Sequence, residues 1–304
     1  MQRVIRILCA LCGPVLAGCS GAISVKAAFS SEETMVVAHR ACWQEAPENS
    51  LEAIEACIAL GVDMVEVDVR QTADGKLVLL HDRTLDRTSD LSGALAAFTW
   101  AEIREARLKT GAGGADAPVT QYRIPTLDAA LRLSRGRILV NLDMKERVHD
   151  EALAIVGALE INDEVLFKLR AAPGSSELRQ APFLGNAPFM PIVVQCREDR
   201  PPGSYCLSSA NDLQGAFDAY DPVAYEFVFH DSRFLTEELV ALRERNIGIW
   251  VNTLYPAISG GRDDEYGSTS PEHVWGSLID AGVSIIQTDY PETLMQYLQT
   301  RRER

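Results

Sequence analysis

Between positions 39 and 81 the chain gathers His39, Arg40, Glu48, Asn49, Glu66, Asp68 and His81. Imidazoles titrate near neutral pH and can take or give a proton there. A guanidinium offers a planar fork of donors that suits an oxyanion. Glu66 and Asp68 stand in the run MVEVDV, where the two-residue alternation of a strand puts both carboxylates on one face and Val65, Val67 and Val69 on the other. Two like charges side by side on an interior face repel each other and are costly to bury, so the pattern points to a bound cation. Ligands that are all oxygen suit Mg²⁺ or Ca²⁺.

Further short motifs follow in order. His39-Arg40 precedes Ala46-Pro47-Glu48-Asn49-Ser50; Glu66-Val67-Asp68-Val69 precedes DGKLVLLHD, which ends at His81-Asp82. Downstream come Ile124-Pro125-Thr126-Leu127, Asn141-Leu142-Asp143-Met144-Lys145, Trp250-Val251-Asn252 and Gln287-Thr288-Asp289-Tyr290-Pro291. This ordered set, spread from residue 36 to about residue 295, resembles the glycerophosphodiester phosphodiesterase family. Two positions depart from the family's pattern. Ala41 stands where glycine is usual, a small change unless that backbone needs a positive φ. Asp143 stands where glutamate is usual, one methylene shorter and closer to the related sphingomyelinase D pattern.

The resemblance implies Glu66, Asp68 and Asp143 as ligands of one divalent cation, with water and substrate oxygen completing its shell. It implies His39 as general base and His81 as the acid that protonates the leaving alcohol; the reverse assignment is the alternative. Arg40 and Lys145 would hold the phosphate. Glu48 would anchor Arg40 or a substrate hydroxyl, and Asn49 would cap a helix. Trp250, with Tyr255, is placed at the mouth of the site, where an aromatic face attracts a cationic head group. His149, His230 and His273 are read as structural.

These residues need a scaffold that brings distant segments to one point. Strand signals at Met35–Ala38, Met64–Val69, Ile138–Leu142, Val165–Leu169, Ile192–Gln195, Ala224–Phe229, Gly248–Asn252 and Ser284–Gln287 alternate with helical patterns such as Thr236–Arg245, Glu272–Ala281 and Glu292–Gln299. Alternating β and α predicts a parallel sheet, and eight repeats in about 250 residues predict a single (β/α)₈ barrel. Ser50 predicts the cap of a helix that runs through Leu60 to Gly61. The stretch from 82 to 122 breaks the rhythm and is read as an insertion after the second strand. The loop Gly260–Gly267, with its acidic residues, is read as solvated.

The chain has 304 residues and a formal charge of -14. Such acidity argues against nucleic acid as a partner, because phosphate backbones repel it. Arg3 and Arg6, the apolar run Ile7–Leu16 and Leu16-Ala17-Gly18-Cys19 read as a lipoprotein leader (1–18), with Cys19 lipidated, 19–34 a tether and 35–304 the barrel. Without 1–18 the charge becomes -16, since Arg3 and Arg6 leave and no acid does. The expected place is the cell envelope, facing the periplasm or the exterior. An oxidising compartment permits a Cys196–Cys206 disulfide, whereas Cys57 is read as plain core.

The expected activity is metal-dependent hydrolysis of small glycerophosphodiesters to glycerol 3-phosphate and an alcohol. One alternative is a phospholipase D-like lyase on lysophospholipid or sphingomyelin, giving a cyclic phosphate. Another is a non-catalytic lipoprotein that binds phosphodiesters. The sequence specifies no oligomeric state.

Overall fold

Met64 to Arg70 are all buried, although the run carries two acids and a base. Burial on both faces is what a strand meets in a parallel sheet wrapped by helices. A computed structural model describes residues 23–197, 205–208, 213, 215–235 and 240–303. Its strands are β1 (Met35–Ala38), β2 (Met64–Gln71), β3 (Leu77–Leu79), β4 (Arg107–Lys109), β5 (Val119–Arg123), β6 (Leu139–Met144), β7 (Val165–Leu169), β8 (Phe189–Val194), β9 (Ala224–Val228), β10 (Gly248–Asn252) and β11 (Ile285–Thr288). Among the described residues, β1, β2 and β6 to β11 form a parallel sheet that closes on itself, because β1 pairs with β11 on one side and with β2 on the other. The result is the (β/α)₈ barrel expected from the alternation.

Period-2 alternation divides the barrel's apolar residues between two layers. Val36, Val65, Val67, Val69, Val140 and Leu142 point outward and pack with Ile54, Leu131 and Val156 of the surrounding helices. Burying each such side chain is worth about 1.5–3 kcal/mol. Met35, Val37, Met64, Leu139, Leu166, Met190, Trp250 and Ile285 point inward and fill the floor. At Gly248 a Cβ would stand 2.7 Å from Ile285 Cδ1 and 3.0 Å from Ala224 Cβ, so any larger residue would have to displace the floor packing there.

The floor is sealed by the helix Val25–Phe29, whose Val25 and Phe29 are buried against it. Residues 25–29, read as part of a polar tether, are therefore part of the domain: their two large apolar side chains recur four apart and have the barrel's open end to cover. Residues 1–18, read as a leader, and Cys19 lie outside the described residues. No described helix is long and apolar enough to cross a membrane.

Ser50 accepts a hydrogen bond from Ala53 N and starts the helix Leu51–Leu60, which stops at Gly61. Cys57 on this helix is not a plain core thiol: it is bonded to Cys42 in the loop after β1. The two cysteines are 15 residues apart, and nothing in their spacing marks the helix as folding back beneath that loop. Cys196 and Cys206 are also bonded. Residues 236–239 of the expected helix Thr236–Arg245 lie outside the described residues; Val240–Glu244 is helical. Between β3 and the helix Leu127–Ser134, residues 82–122 form turns, the short helix Trp100–Ile103 and the hairpin of β4 with β5, around a small core of Leu85, Leu95, Ile103 and Leu108.

Candidate active site

Above the apolar floor the inward positions turn polar. Glu66 and Asp68 of β2 and Asp143 of β6 each offer an oxygen within 4.8 Å of the others. Asp68 and Asp143 are register partners across the parallel pair, so the sheet itself sets them side by side. Lys145 Nζ lies 2.8 Å from Asp68 Oδ1 and 2.9 Å from Asp143 Oδ2. Asp68 Oδ1 is buried and accepts no well-aligned hydrogen bond, despite that ammonium. Clustered carboxylates with a spare buried oxygen fit a hard divalent cation, and the ligand set contains no nitrogen or sulfur that would favour a softer metal.

Electrostatics divides the three acids. Burial, with the neighbouring Asp68 charge, pushes Glu66 up to about 7. Burial also opposes charge on Asp68, but Lys145 and Arg40 outweigh it and hold Asp68 below the ordinary value. At Asp143 the same opposition from burial is overcome by Lys168 and Lys145. Lys168 of β7 is buried 3.6 Å from Asp143 and 3.5 Å from Glu226 of β9, and these charges keep it protonated against its desolvation.

The loop after β1 is folded onto this cluster. Arg40 and Ala41 have φ of 54° and 63°, and their backbone N–H groups donate to Glu66 Oε2 and Glu66 O at 3.0 and 3.1 Å. Ala41 is thus a non-glycine residue in left-handed backbone, so the departure at this position carries strain. Arg40 Nη1 donates to the buried Glu48 at 3.0 Å, and its Nε is 3.5 Å from Asp68. Glu48 holds Arg40, one of the two roles expected of it. Asn49 joins the site instead of capping the helix: its Nδ2 donates to Asp68 Oδ2 at 2.7 Å, and its Oδ1 accepts from Asp68 N at 2.9 Å.

Both histidines have a carboxylate behind them. His39 Nδ1 is 2.8 Å from Asp289 Oδ1, and His81 Nδ1 is 2.7 Å from Asp82 Oδ1. Nδ1–H donation to a carboxylate leaves Nε2 of each ring to face a substrate. Burial disfavours charge on His39, but the hydrogen bond to Asp289 and the charges of Glu66 and Asp289 outweigh it and raise the imidazole above its ordinary value. Asp289 is itself braced. Trp43 Nε1 donates to its Oδ1 at 2.7 Å, and its backbone N–H donates to Asp264 Oδ2 at 2.7 Å.

Asp264 corrects the reading of 260–267 as a solvated loop. It is buried at the start of the helix Asp264–Thr269, accepts from Thr253 and Thr288, and is pushed up by burial to about 6. Trp250 requires a second correction. It is fully buried in the barrel floor, with Nε1 donating to Asn252 at 2.6 Å, because position 250 points inward two residues below the polar layer. It has no surface to offer a substrate. Tyr255, three residues past β10, is 53% exposed.

Contacts therefore link Arg40, Glu48, Glu66, Asp68, Asp143 and Lys145, with His81 joined through Asp82 and Arg87, while His39 precedes Arg40 in the chain and is held by Asp289. Sequence reasoning missed Asp289, Asp264, Asp82, Arg87, Lys168 and Glu226 as parts of this network. A lone lysine in the apolar strand VLFKL and an acid directly after His81 were usable signals; nothing local marked Asp264.

Residues 39–171 match the Glycerophosphoryl diester phosphodiesterase family, and residues 189–298 match a domain of unknown function. A glycerophosphodiester phosphodiesterase of Caldanaerobacter subterraneus is 38% identical over 119 residues, covering 38% of this chain and 47% of the relative. An uncharacterized protein of Bacillus subtilis is 30% identical over 140 residues, covering 44% and 56%. The chain spans about half the length of the curated relatives it matches. Among solved structures, a glycerophosphoryl diester phosphodiesterase from Parabacteroides distasonis aligns with a TM-score of 0.72 at 23% identity, covering 92% of this chain and 93% of that one. A phosphodiesterase from Oleispira antarctica, in complex with the product sn-glycerol-3-phosphate, aligns with a TM-score of 0.61 at 20% identity, covering 89% and 99%.

Proposed function

We propose, for a chain whose residues 39–171 belong to the glycerophosphoryl diester phosphodiesterase family, the metal-dependent hydrolysis of glycerophosphodiesters to glycerol 3-phosphate and an alcohol. The observation that carries this reading is the pairing of two carboxylate-backed imidazoles with a carboxylate trio and an Arg40 held by the buried Glu48. A binding protein has no use for two such histidines. The named relatives and the product complex of the Oleispira protein support the same substrate class.

In this account Arg40 and Lys145 bind the non-bridging phosphate oxygens by charge-assisted hydrogen bonds. His39 Nε2 takes the proton of the attacking water, or of the adjacent glycerol hydroxyl, in which case the alcohol leaves from a cyclic phosphate that water then opens to glycerol 3-phosphate. Asp289 stabilises the imidazolium that forms. His81 Nε2–H gives its proton to the leaving alkoxide. Glu66, Asp68 and Asp143 hold Mg²⁺ or Ca²⁺, which when bound supplies charge stabilisation to the phosphoryl oxygens. Asp143 is one methylene shorter than the family's usual glutamate, which keeps the cyclising lyase as a second reading.

We also propose that the chain is exported and anchored by lipid at Cys19, on the strength of the basic, apolar and Leu-Ala-Gly-Cys sequence at its start. The catalytic assignment is tested with His39→Ala and His81→Ala. Each is expected to lose turnover by about 10²–10⁴-fold, the usual worth of a general acid or base, while binding the cation with wild-type affinity. Retained activity in either variant sinks the assignment.

A further inference from the structure

Arg87 takes no part in the chemistry above, yet it joins two halves of the site. Its Nε and Nη2 donate to Asp82 at 2.8 and 2.9 Å. Its Nη1 and Nη2 donate to Glu48 at 2.9 and 2.8 Å, and Nη1 also donates to Ala112 O. All five guanidinium N–H groups are thereby used. Each carboxylate in turn holds a different reacting-side group. Asp82 is bonded to His81, and Glu48 to Arg40. One planar fork thus spans the supports of the proton donor and the phosphate clamp, which a single ammonium cannot do.

The hairpin segment of 82–122 is shaped to deliver this side chain. Gly114 N donates to Arg87 O at 2.8 Å, and Lys109 N donates to Thr88 O at 2.9 Å. Gly113 has φ +72°, and a Cβ there would stand 2.3 Å from Arg87 O, so the loop lies against Arg87 only because that residue is glycine. Glu48 is 2% exposed, and a buried carboxylate that lost one of its two guanidinium partners would rearrange to find another.

We infer that Arg87 is a positioning residue: it fixes His81 relative to Arg40 through Asp82 and Glu48, and the insertion exists in part to hold it. This rests on the hydrolase reading, which the test keeps separate. The full-length protein is compared with Arg87→Ala, Arg87→Lys and Gly113→Ala, each checked for a wild-type circular dichroism spectrum. Arg87→Ala is expected to lose kcat/KM by on the order of 10²-fold, the cost of an ångström-scale misplacement. KM for the diester should rise as Arg40 loosens, and kcat should fall as His81 turns. Arg87→Lys should fail to restore either, Gly113→Ala should lose activity without any change of charge, and added guanidinium should partly rescue Arg87→Ala.

A second readout needs no turnover. In ¹⁵N-histidine NMR, the His81 Nδ1 signal should be that of a protonated nitrogen hydrogen-bonded to Asp82 in the wild type and should lose that signature in Arg87→Ala, since Asp82 holds the Nδ1 proton. Unchanged kinetics in Arg87→Ala, or an unchanged His81 Nδ1 signal, overturns the positioning role. If the wild type hydrolyses no diester, the hydrolase reading fails by itself, and the imidazole spectrum still decides the role of Arg87.

Discussion

His39 and Asp289 are 250 positions apart in sequence and 2.8 Å apart in space. Barrel closure makes the contact: β1 and β11 are hydrogen-bonded neighbours with Ala38 beside Thr288, so the next residue of each strand falls at the same rim. Asp289 raises the pKa of His39, and a base works only once it is deprotonated. Asp289→Asn should therefore move the acidic limb of kcat/KM to lower pH while lowering its plateau by on the order of 10²-fold or more, as the ring loses its fixed tautomer. A raised histidine pKa contributes stability that is complete below the ordinary value of 6.5 and is lost as pH rises through the folded value. The difference in Tm between wild type and Asp289→Asn should accordingly be wider at pH about 5.5 than at pH about 8.5.

Cation binding should be proton-linked. Burial and Asp68 push Glu66 up to about 7, so below that value the metal-free site holds a proton that the cation must displace. Chelator-stripped protein should gain Tm on addition of Mg²⁺ or Ca²⁺, with a larger gain at pH about 8 than at pH about 6. Calorimetry in buffers of different ionisation enthalpy should register proton release near pH 7. A pH-independent affinity contradicts the placement of Glu66 among the ligands.

Ala41 gives a prediction of opposite sign to most mutations. Its φ of 63° costs an alanine on the order of 1 kcal/mol or more that a glycine does not incur. Ala41→Gly should raise the midpoint of urea unfolding with the m-value unchanged. A lowered midpoint would show that the loop is not strained.

The disulfide between Cys42 and Cys57 ties this loop to the helix beneath it. Closing a segment of 15 residues limits the unfolded chain by about 3 kcal/mol in the loop-entropy account. The pair Cys42→Ser and Cys57→Ser should lose stability of that order in urea, and KM should rise, because Arg40 and Glu48 belong to the same loop. Unchanged KM separates the loop's position from its covalent tie.

The sequence disclosed the parts of the site that obey local rules. Glu66 and Asp68 were readable because strand alternation fixes their face, and the barrel because β and α segments alternate along the chain. Trp250 was misplaced for want of depth: alternation shows that it points inward but not that its level is the floor. The tether reading missed Val25 and Phe29, because five residues are too few for a periodic pattern to stand out. Asp264, Arg87 and Asp289 act through contacts across 25 to 250 positions, and such contacts become visible only when the barrel closes.

The measurement that bears most directly on the central claim is a ³¹P NMR time course on the purified protein. It is stripped with chelator, then given Mg²⁺ or Ca²⁺ with glycerophosphocholine and lysophosphatidylcholine together. The account predicts growth of glycerol 3-phosphate from glycerophosphocholine that depends on the added cation. A cyclic phosphate arising from the lysolipid alone contradicts it in favour of the lyase, and unchanged spectra with either ion contradict hydrolysis of these diesters altogether.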